Sequence, residues 1–467
     1  MRTLIAFCPI LWLLLSLSSG RCRAWKAALV ALFIAVLGAF FAFPGCSPIS
    51  ITLSIASGVK LGVYPVCLVI LAALFTHAIV VESGAMTVVR AGLTQISEDN
   101  RVLALFVVLG FGNFMEGIAG FGTSVAIPVS ILIGIGFNPK KAVLVCLVAN
   151  TVPSAFGSVG VPLFTLAQLT GFDVQTIAHY TVLMQSAIAA ATPILILLVL
   201  DGRRALCGLG RLLCLVELAF LVPWILVTFF LGYELPNIVA SLSVMAVILS
   251  QCPQTKQMDF KRQGKAWLPF GLVVLFLITA AFLPAPLKRY ASSAVLIFLG
   301  AFLGGLLQGL APRHLIQVLL GTFRRFCPSF ATILLVLAMA RVMDNVGMVS
   351  ALAEAIVRLT GSSYPFFAPL VGALGGFITG SVTSSNALFG TMQANIALDM
   401  VVSPYTFFGA NVMGAGIGKM ICPQSIAIAA ATAGLIGKEH DIMKQALRWF
   451  PGVLLTACIL SGASALL

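Results

Sequence analysis

Residues 150–162 read NTVPSAFGSVGVP and residues 411–423 read NVMGAGIGKMICP. Both fit one pattern of Asn, six residues, Gly, four residues, Pro: Asn150, Gly157 and Pro162 against Asn411, Gly418 and Pro423. Two further matches keep the same order. Phe114-Met115-Glu116-Gly117 stands opposite Phe377-Ile378-Thr379-Gly380, and Phe137-Asn138-Pro139 opposite Val402-Ser403-Pro404. The separation between partners stays within 261 to 265 residues, which marks an internal repeat. Both copies interrupt apolar sequence with Gly, Ser, Asn and Pro. In a bilayer, such irregular backbone is tolerated only where it is buried in protein or lines a cavity. Repeated halves with broken helices are a transporter architecture, with the substrate near the bilayer midplane where the repeats meet.

Composition agrees. Of 467 residues, 60% are hydrophobic and 9% charged, and the mean hydropathy is +1.10. A soluble domain carries roughly 25% charged residues, so soluble, disordered and secreted disulfide-rich classes are excluded. The net charge of +13 would suit nucleic acid in a soluble chain. In a membrane chain a Lys/Arg excess belongs to cytoplasmic loops, and no nucleic-acid partner is expected. The eleven cysteines are scattered and no pair has C-x-x-C spacing, so neither a disulfide framework nor a metal site is expected.

Met1 to Ala24 has some features of a signal peptide, with Arg2, an apolar core and Ser18-Ser19-Gly20. Arg21, Arg23 and Lys26 behind the core resist translocation, so an uncleaved first span is expected. Apolar segments follow near 27–44, 62–81, 102–137, 142–161, 178–200, 213–233, 235–251, 267–284, 292–311, 328–345, 364–400, 405–437 and 447–467. Several exceed one span of about 20 residues and are expected to be broken or re-entrant. Three basic clusters set the orientation: Lys140 and Lys141; Arg203, Arg204 and Arg211; Lys256, Lys261, Arg262 and Lys265. Placing them inside with Arg21 and Arg23 puts the N-terminus outside and leaves Lys288 and Arg289 as the violation. The span near 102–118 then leaves the cytoplasm and its counterpart near 364–380 enters it. The expected fold is an all-α polytopic membrane protein with two inverted repeats and broken or re-entrant helices. Its expected divisions are N-terminal spans and loop at 1–101, a first repeat core at 102–200, middle spans and basic loops at 201–327, and a second repeat core at 328–467.

Three motifs carry candidate chemistry. In Glu116-Gly-Ile-Ala-Gly-Phe-Gly-Thr-Ser124, Gly117, Gly120 and Gly122 allow a tight turn and close approach to a ligand. Thr123 and Ser124 suit the cap of a half-helix whose free N–H groups bind an anion. Glu116 lies deep in apolar sequence, where an acid reads as a proton carrier or cation ligand; the plainer alternative is a hydrogen-bonded residue that pins a hairpin. In Thr379-Gly-Ser-Val-Thr-Ser-Ser-Asn-Ala-Leu-Phe-Gly390, the polar groups of Ser381, Thr383, Ser384, Ser385 and Asn386 crowd a second such break. They can cap a half-helix and hold a carboxylate and hydroxyl, or simply pack helices together. The run Gly414-Ala-Gly-Ile-Gly-Lys419 fails as a phosphate loop, because Met413 and Met420 stand where Gly and Ser/Thr are required. Lys419 reads as a cation that balances an anionic substrate, pairs with an acid, or snorkels to the interface. Asn150, Asn411 and Gln424 complete the expected substrate contacts. Lesser candidates are His77, Glu217, and Arg341 with Asp344, which are spaced to pair on a helix. Metal-ligand spacing and a nucleophile turn are absent from the sequence, so neither enzyme chemistry nor a cofactor is expected.

Residues 113–162 and 376–438, with TGSVTSSNALFG, GKMICPQSIAIA and GLIGK in the second block, resemble the signature regions of the bacterial L-lactate permease family. DGRR at 201–204 and ELP at 234–236 are also similar. The resemblance implies a symporter of the cytoplasmic membrane that takes up lactate, and often glycolate, with protons. The chain departs from the family in being shorter and in carrying Val382 where the family usually has an acid. The expected substrate contacts are Thr123, Ser124, Asn150, Ser384, Ser385, Asn386, Asn411, Lys419 and Gln424, with Glu116 as proton carrier. Sodium coupling, another carboxylate, or a passive organic-anion channel are the alternatives left open by the residues themselves. The expected partners are the small carboxylate, protons and the lipid bilayer, and the oligomeric state is open.

Overall fold

The computed structural model describes residues 2–18, 23–43, 47–93, 96–120, 122–252, 259–281, 292–435 and 438–466. Among them every regular element is helical, as the bilayer requires of segments that must satisfy their own backbone groups. Arg21, Lys256, Lys288 and Arg289, used above for orientation, lie outside the described residues.

The chain opens with α1 (Arg2–Ser18) and α2 (Ala24–Ala42). The long pair α3 (Pro48–Leu61) and α4 (Leu68–Glu82) follows, joined by a π-helical stretch, and then the short amphipathic α5 (Ala85–Leu93). Next come α6 (Asn100–Leu105), running through a second π-helical stretch into α7 (Asn113–Ile118), then α8 (Thr123–Gly134), α9 (Pro139–Ala149), α10 (Gly157–Thr170) and α11 (Val174–Asp201). Two intervening helices are α12 (Gly210–Phe230) and α13 (Pro236–Gln251). The series then recurs as α14 (Phe260–Ala281), α15 (Ser293–Leu307), α16 (Pro312–Asn345), α17 (Met348–Thr360), α18 (Tyr364–Thr379), α19 (Val382–Asp399), α20 (Pro404–Lys419), α21 (Pro423–Thr432) and α22 (Glu439–Leu466). The order of elements therefore matches from α1 onward, upstream of the motif-bearing regions. Among the described residues eight helices are long and apolar enough to cross a membrane, or up to ten if each bent pair counts as one span.

Apolar runs that exceed one span are broken as expected. The run 102–137 becomes α6–α7 and the returning α8, and 364–400 becomes α18 and α19. Helix α9 and the stretch 153–170 meet at 61°, and α20 and α21 at 42°. Proline starts many of the pieces, at Pro48, Pro139, Pro236, Pro312, Pro404 and Pro423, where its missing N–H removes no helical bond.

Packing follows a two-fold exchange. Helix α2 packs on α16 and α15 on α4; α1 packs on α17 and α14 on α5. Nearer the motifs, α10 packs on α19 and α21 on α8, while α11 packs on α20 and α22 on α9. Ion pairs at the helix ends show the halves to be inverted. Lys141 reaches Asp201 at the end of α11, and neighbouring Lys140 reaches Asp441 at the start of α22, each at 2.8 Å. Equivalent helices thus run in opposite directions from one face. Likewise His314, at the start of α16, sits 3.2 Å from Glu82 at the end of α4. At the opposite ends, Asn345 donates to Ser54 at 2.8 Å.

The described members of the three basic clusters share one face. Arg101, beside the Arg203–Arg204 loop, donates to the carbonyls of Ala205 and Cys207 at 3.2 and 2.9 Å. Gln263, among the third cluster, donates to Val88 O at 2.8 Å, between Glu82 and Arg101 in the chain. The same Arg101 guanidinium chelates Asp99 and holds its carboxyl below the ordinary range.

Helices α18 and α20 cross backbone to backbone. A Cβ at Gly372, Gly376, Gly414 or Gly418 would fall 1.9–2.1 Å from a carbonyl oxygen of the facing helix. Only glycine permits this approach, which ties the second hairpin to the second broken helix. Arg341 and Asp344 do not pair as expected. Arg341 instead donates to the carbonyls of Leu169 (3.2 Å) and Gln168 (2.5 Å), where the last turn of α10 leaves acceptors unpaired.

Candidate substrate and coupling site

Helix α7 stops at Ile118, and the chain reverses through Gly120 (φ 58°) and Gly122 (φ 83°) into α8. Left-handed backbone at both positions explains these two glycines. Gly122 is the residue that precedes α8 and no side chain caps it, which corrects the capping role expected of Thr123 and Ser124. The Thr123 side chain lies outside the described residues. Ser124 turns back instead and donates to the Glu116 carboxylate.

Glu116 is the centre of a buried cluster. Its Oε2 accepts from Ser124 Oγ and from Asn150 Nδ2 at 3.0 Å, and Asn150 also donates to Ser124 Oγ at 2.9 Å. Its Oε1 lies 3.1 Å from Lys419 Nζ, with the two side chains only 4% and 13% exposed. Four expected site residues, Glu116, Ser124, Asn150 and Lys419, thus converge from both repeats. Gly157 closes the cluster, since a Cβ there would stand 3.0 Å from Glu116 Oε1.

The second hairpin turns at Gly380 (φ 65°). Ser381 caps α19 by accepting from Ser384 N at 3.3 Å, as the hydroxyl density suggested. By repeat position Thr379 stands opposite Glu116 and Ser158 opposite Lys419. Both counterparts are neutral: Thr379 donates to Gly375 O at 2.8 Å, and Ser158 to Ala119 O at 3.1 Å. The charged pair is therefore where the two-fold symmetry is broken.

A cavity of about 520 Å³ opens beside the pair. Its wall includes Glu116, Asn150, Ser384, Lys419 and Gln424 from the expected set. It also includes Ser154, Ser158, Thr379, Ser381, Thr383 and Ser425, together with Arg23 just ahead of α2, Trp25 of α2, and Phe326, Ser329 and Thr332 of α16. The starts of α8, α19 and α21 reach it, at Gly122, Ser381 and Gln424, and so does the left-handed turn Ser158–Gly160 that begins the stretch leading into α10. Unpaired N–H groups at helix starts favour an anion.

Ser385, Asn386 and Asn411, also expected to contact substrate, lie outside the cavity wall. Ser385 donates to Gly372 O at 3.1 Å. Asn411 donates to Asn386 Oδ1 at 2.9 Å, and Asn386 to Pro162 O at 2.9 Å. Gln393 bonds Asn411 at 3.4 Å and accepts from the Tyr364 hydroxyl at 2.7 Å. All three expected residues are fully buried, and they knit α18, α19 and α20 onto α10. Asn150 and Asn411 match in the repeat but serve different networks. His77 and Glu217 stand outside the cavity wall, and Val382 stands within it. Sequence reasoning missed Ser158, although it lies inside the quoted repeat, and treated Arg23 only as a loop charge.

A family model described as L-lactate permease matches residues 2–292 and 285–466. An L-lactate permease of Streptococcus iniae is 35% identical over 439 residues, covering 86% of this chain and 92% of that protein. The chain belongs to the L-lactate permease family. An L-lactate permease of Salmonella typhimurium is 31% identical, with 95% and 92% covered. A glycolate permease of Escherichia coli (strain K12) is 29% identical, with 96% and 93% covered. The permease is therefore a multi-pass membrane transporter and not an enzyme. Two solved transporters share its fold at 14% identity and a TM-score of 0.51. MtrF of Neisseria gonorrhoeae aligns over 95% of this chain and 94% of its own, and the YdaH transporter of Alcanivorax borkumensis over 89% and 87%.

Proposed function

We propose that this permease takes up a small 2-hydroxymonocarboxylate, lactate and also glycolate, together with protons across the bacterial cytoplasmic (inner) membrane. The relatives named L-lactate permease and glycolate permease support the substrate class. Three helix starts around one cavity support an anion.

The Glu116–Lys419 pair between the repeats carries the reading. With Glu116 ionised, Lys419 already has its counter-charge, and a substrate carboxylate must compete with it. Protonation of Glu116 leaves the ammonium without a partner, and a buried unpaired charge is costly. A substrate carboxylate then restores the balance. Proton and substrate therefore bind together, which is the requirement of symport. The empty carrier returns with its pair closed and mutually neutralised. Val382 brings no acid to the cavity, and Glu116 is the acidic side chain of its wall among the described residues, which supports Glu116 as the proton carrier.

Uptake of labelled lactate into proteoliposomes tests this. Accumulation above the outside concentration is expected under an imposed pH gradient and not under a sodium gradient. A passive channel would only equilibrate. Absence of gradient-driven accumulation of both lactate and glycolate would overturn the reading.

A further inference from the structure

We propose that Arg23 is a second carboxylate-binding group for the substrate, reached from the face that carries the basic loops; this rests on the monocarboxylate reading above. Among the described residues three charged side chains line the cavity: Glu116, Lys419 and Arg23. The first two neutralise each other at 3.1 Å. Arg23 has no carboxylate within ion-pair distance among the described residues. The wall therefore carries one unbalanced positive charge, which matches a monoanion.

Position gives that charge a role. Helix α2 ends near the start of α3, on the face where Asn345 meets Ser54. Arg23, just before α2, accordingly belongs to the opposite face, with Lys140, Lys141 and Arg101. Arg23 shares one cavity wall with Trp25, Phe326 and the Glu116–Lys419 pair. A planar guanidinium binds a carboxylate through two parallel hydrogen bonds. Arg23 thus holds the substrate anion at the mouth while the inner pair is closed, and Lys419 holds it once Glu116 is protonated. Ser329 and Thr332 of α16, in the same wall, offer hydroxyls to a bound oxyacid.

Trp25 lines the same wall and supplies a fluorescence signal. The purified full-length permease is titrated with lactate and with neutral lactamide, beside Arg23→Gln and Arg23→Lys. Lactate half-saturation is expected to rise roughly tenfold or more in Arg23→Gln, the worth of a charge-assisted hydrogen bond. Arg23→Lys, which keeps the charge but not the paired hydrogen bonds, should recover only part of the loss, and lactamide titrations should be unchanged. In vesicles of both orientations, the KM of Arg23→Gln should rise for lactate offered at the basic face and stay within about twofold at the other. Wild-type half-saturation in Arg23→Gln, or an equal loss for lactamide, would overturn the assignment while leaving symport intact. A wild type that neither binds nor transports lactate or glycolate would overturn the underlying function, and this assignment with it.

Discussion

Lys419 Nζ lies 3.1 Å from Glu116 Oε1, and the two residues come from opposite repeats. Each is the last polar group before a break, Glu116 ahead of the first hairpin turn and Lys419 at the end of α20. Any rearrangement of one half against the other must carry the pair along or open it. A proton on Glu116 or an anion beside Lys419 shifts that balance, so ligand binding and conformation are linked through one contact.

Removing one partner strands the other. Lys419→Met should lower stability by about 3–5 kcal/mol, the usual penalty of a broken buried pair. Adding Glu116→Gln should restore at least half of the loss, while pH-driven uptake stays absent. Thermal unfolding in detergent gives the double-mutant cycle; additive losses would mean that the two groups do not interact.

The matched asparagines should separate by phenotype. Asn411→Ala takes the donor from Asn386 Oδ1 and one of the partners of Gln393 and should cost about 1–3 kcal/mol of stability, with lactate affinity within about twofold of wild type. Asn150→Ala releases both Glu116 and Ser124. It should shift the pH profile of uptake. Stability and pH–rate measurements on both variants check the assignment.

At Gly157, an added methyl meets Glu116 Oε1 at 3.0 Å. Gly157→Ala should displace the carboxylate and depress uptake, whereas Gly210→Ala, with open space around it, should be neutral. Gly376→Ala is expected to be more severe for folding. Its Cβ would lie 2.0 Å from Ala415 O, so α18 and α20 must separate, and overpacking of this kind costs at least about 1–3 kcal/mol. Yield and melting temperature of the three variants rank them.

If equivalent helices are inverted, Asp201→Cys and Asp441→Cys should be labelled by an impermeant maleimide from the same side of the membrane. In a background with its reactive cysteines replaced, labelling from opposite sides would contradict the antiparallel pairing of α11 and α22.

The repeat and its breaks were legible because Gly, Pro and Asn punctuate apolar sequence at a constant separation. Glu116 and Lys419 stood out for a related reason, since ionisable groups are scarce in such segments. What could not be read was which polar side chain faces the cavity. Ser384 and Asn386 are two residues apart on α19, so their side chains lie on different sides of the helix. One lines the cavity and the other bonds Pro162. Local sequence does not set that rotation; packing against α10 and α20 does. Arg23 was hidden differently, because a basic residue at a helix start looks the same in a loop and in a cavity wall.

Proton movement that accompanies lactate flux tests the coupling most directly. Proteoliposomes loaded with a pH-sensitive dye are given an inward lactate gradient without an imposed pH difference, and labelled lactate is followed in parallel. In the wild type, lactate influx should acidify the interior. Glu116→Gln, which fixes the site in its proton-bound form, should still exchange labelled lactate without acidification. Wild-type acidification per lactate in Glu116→Gln would contradict Glu116 as the proton carrier.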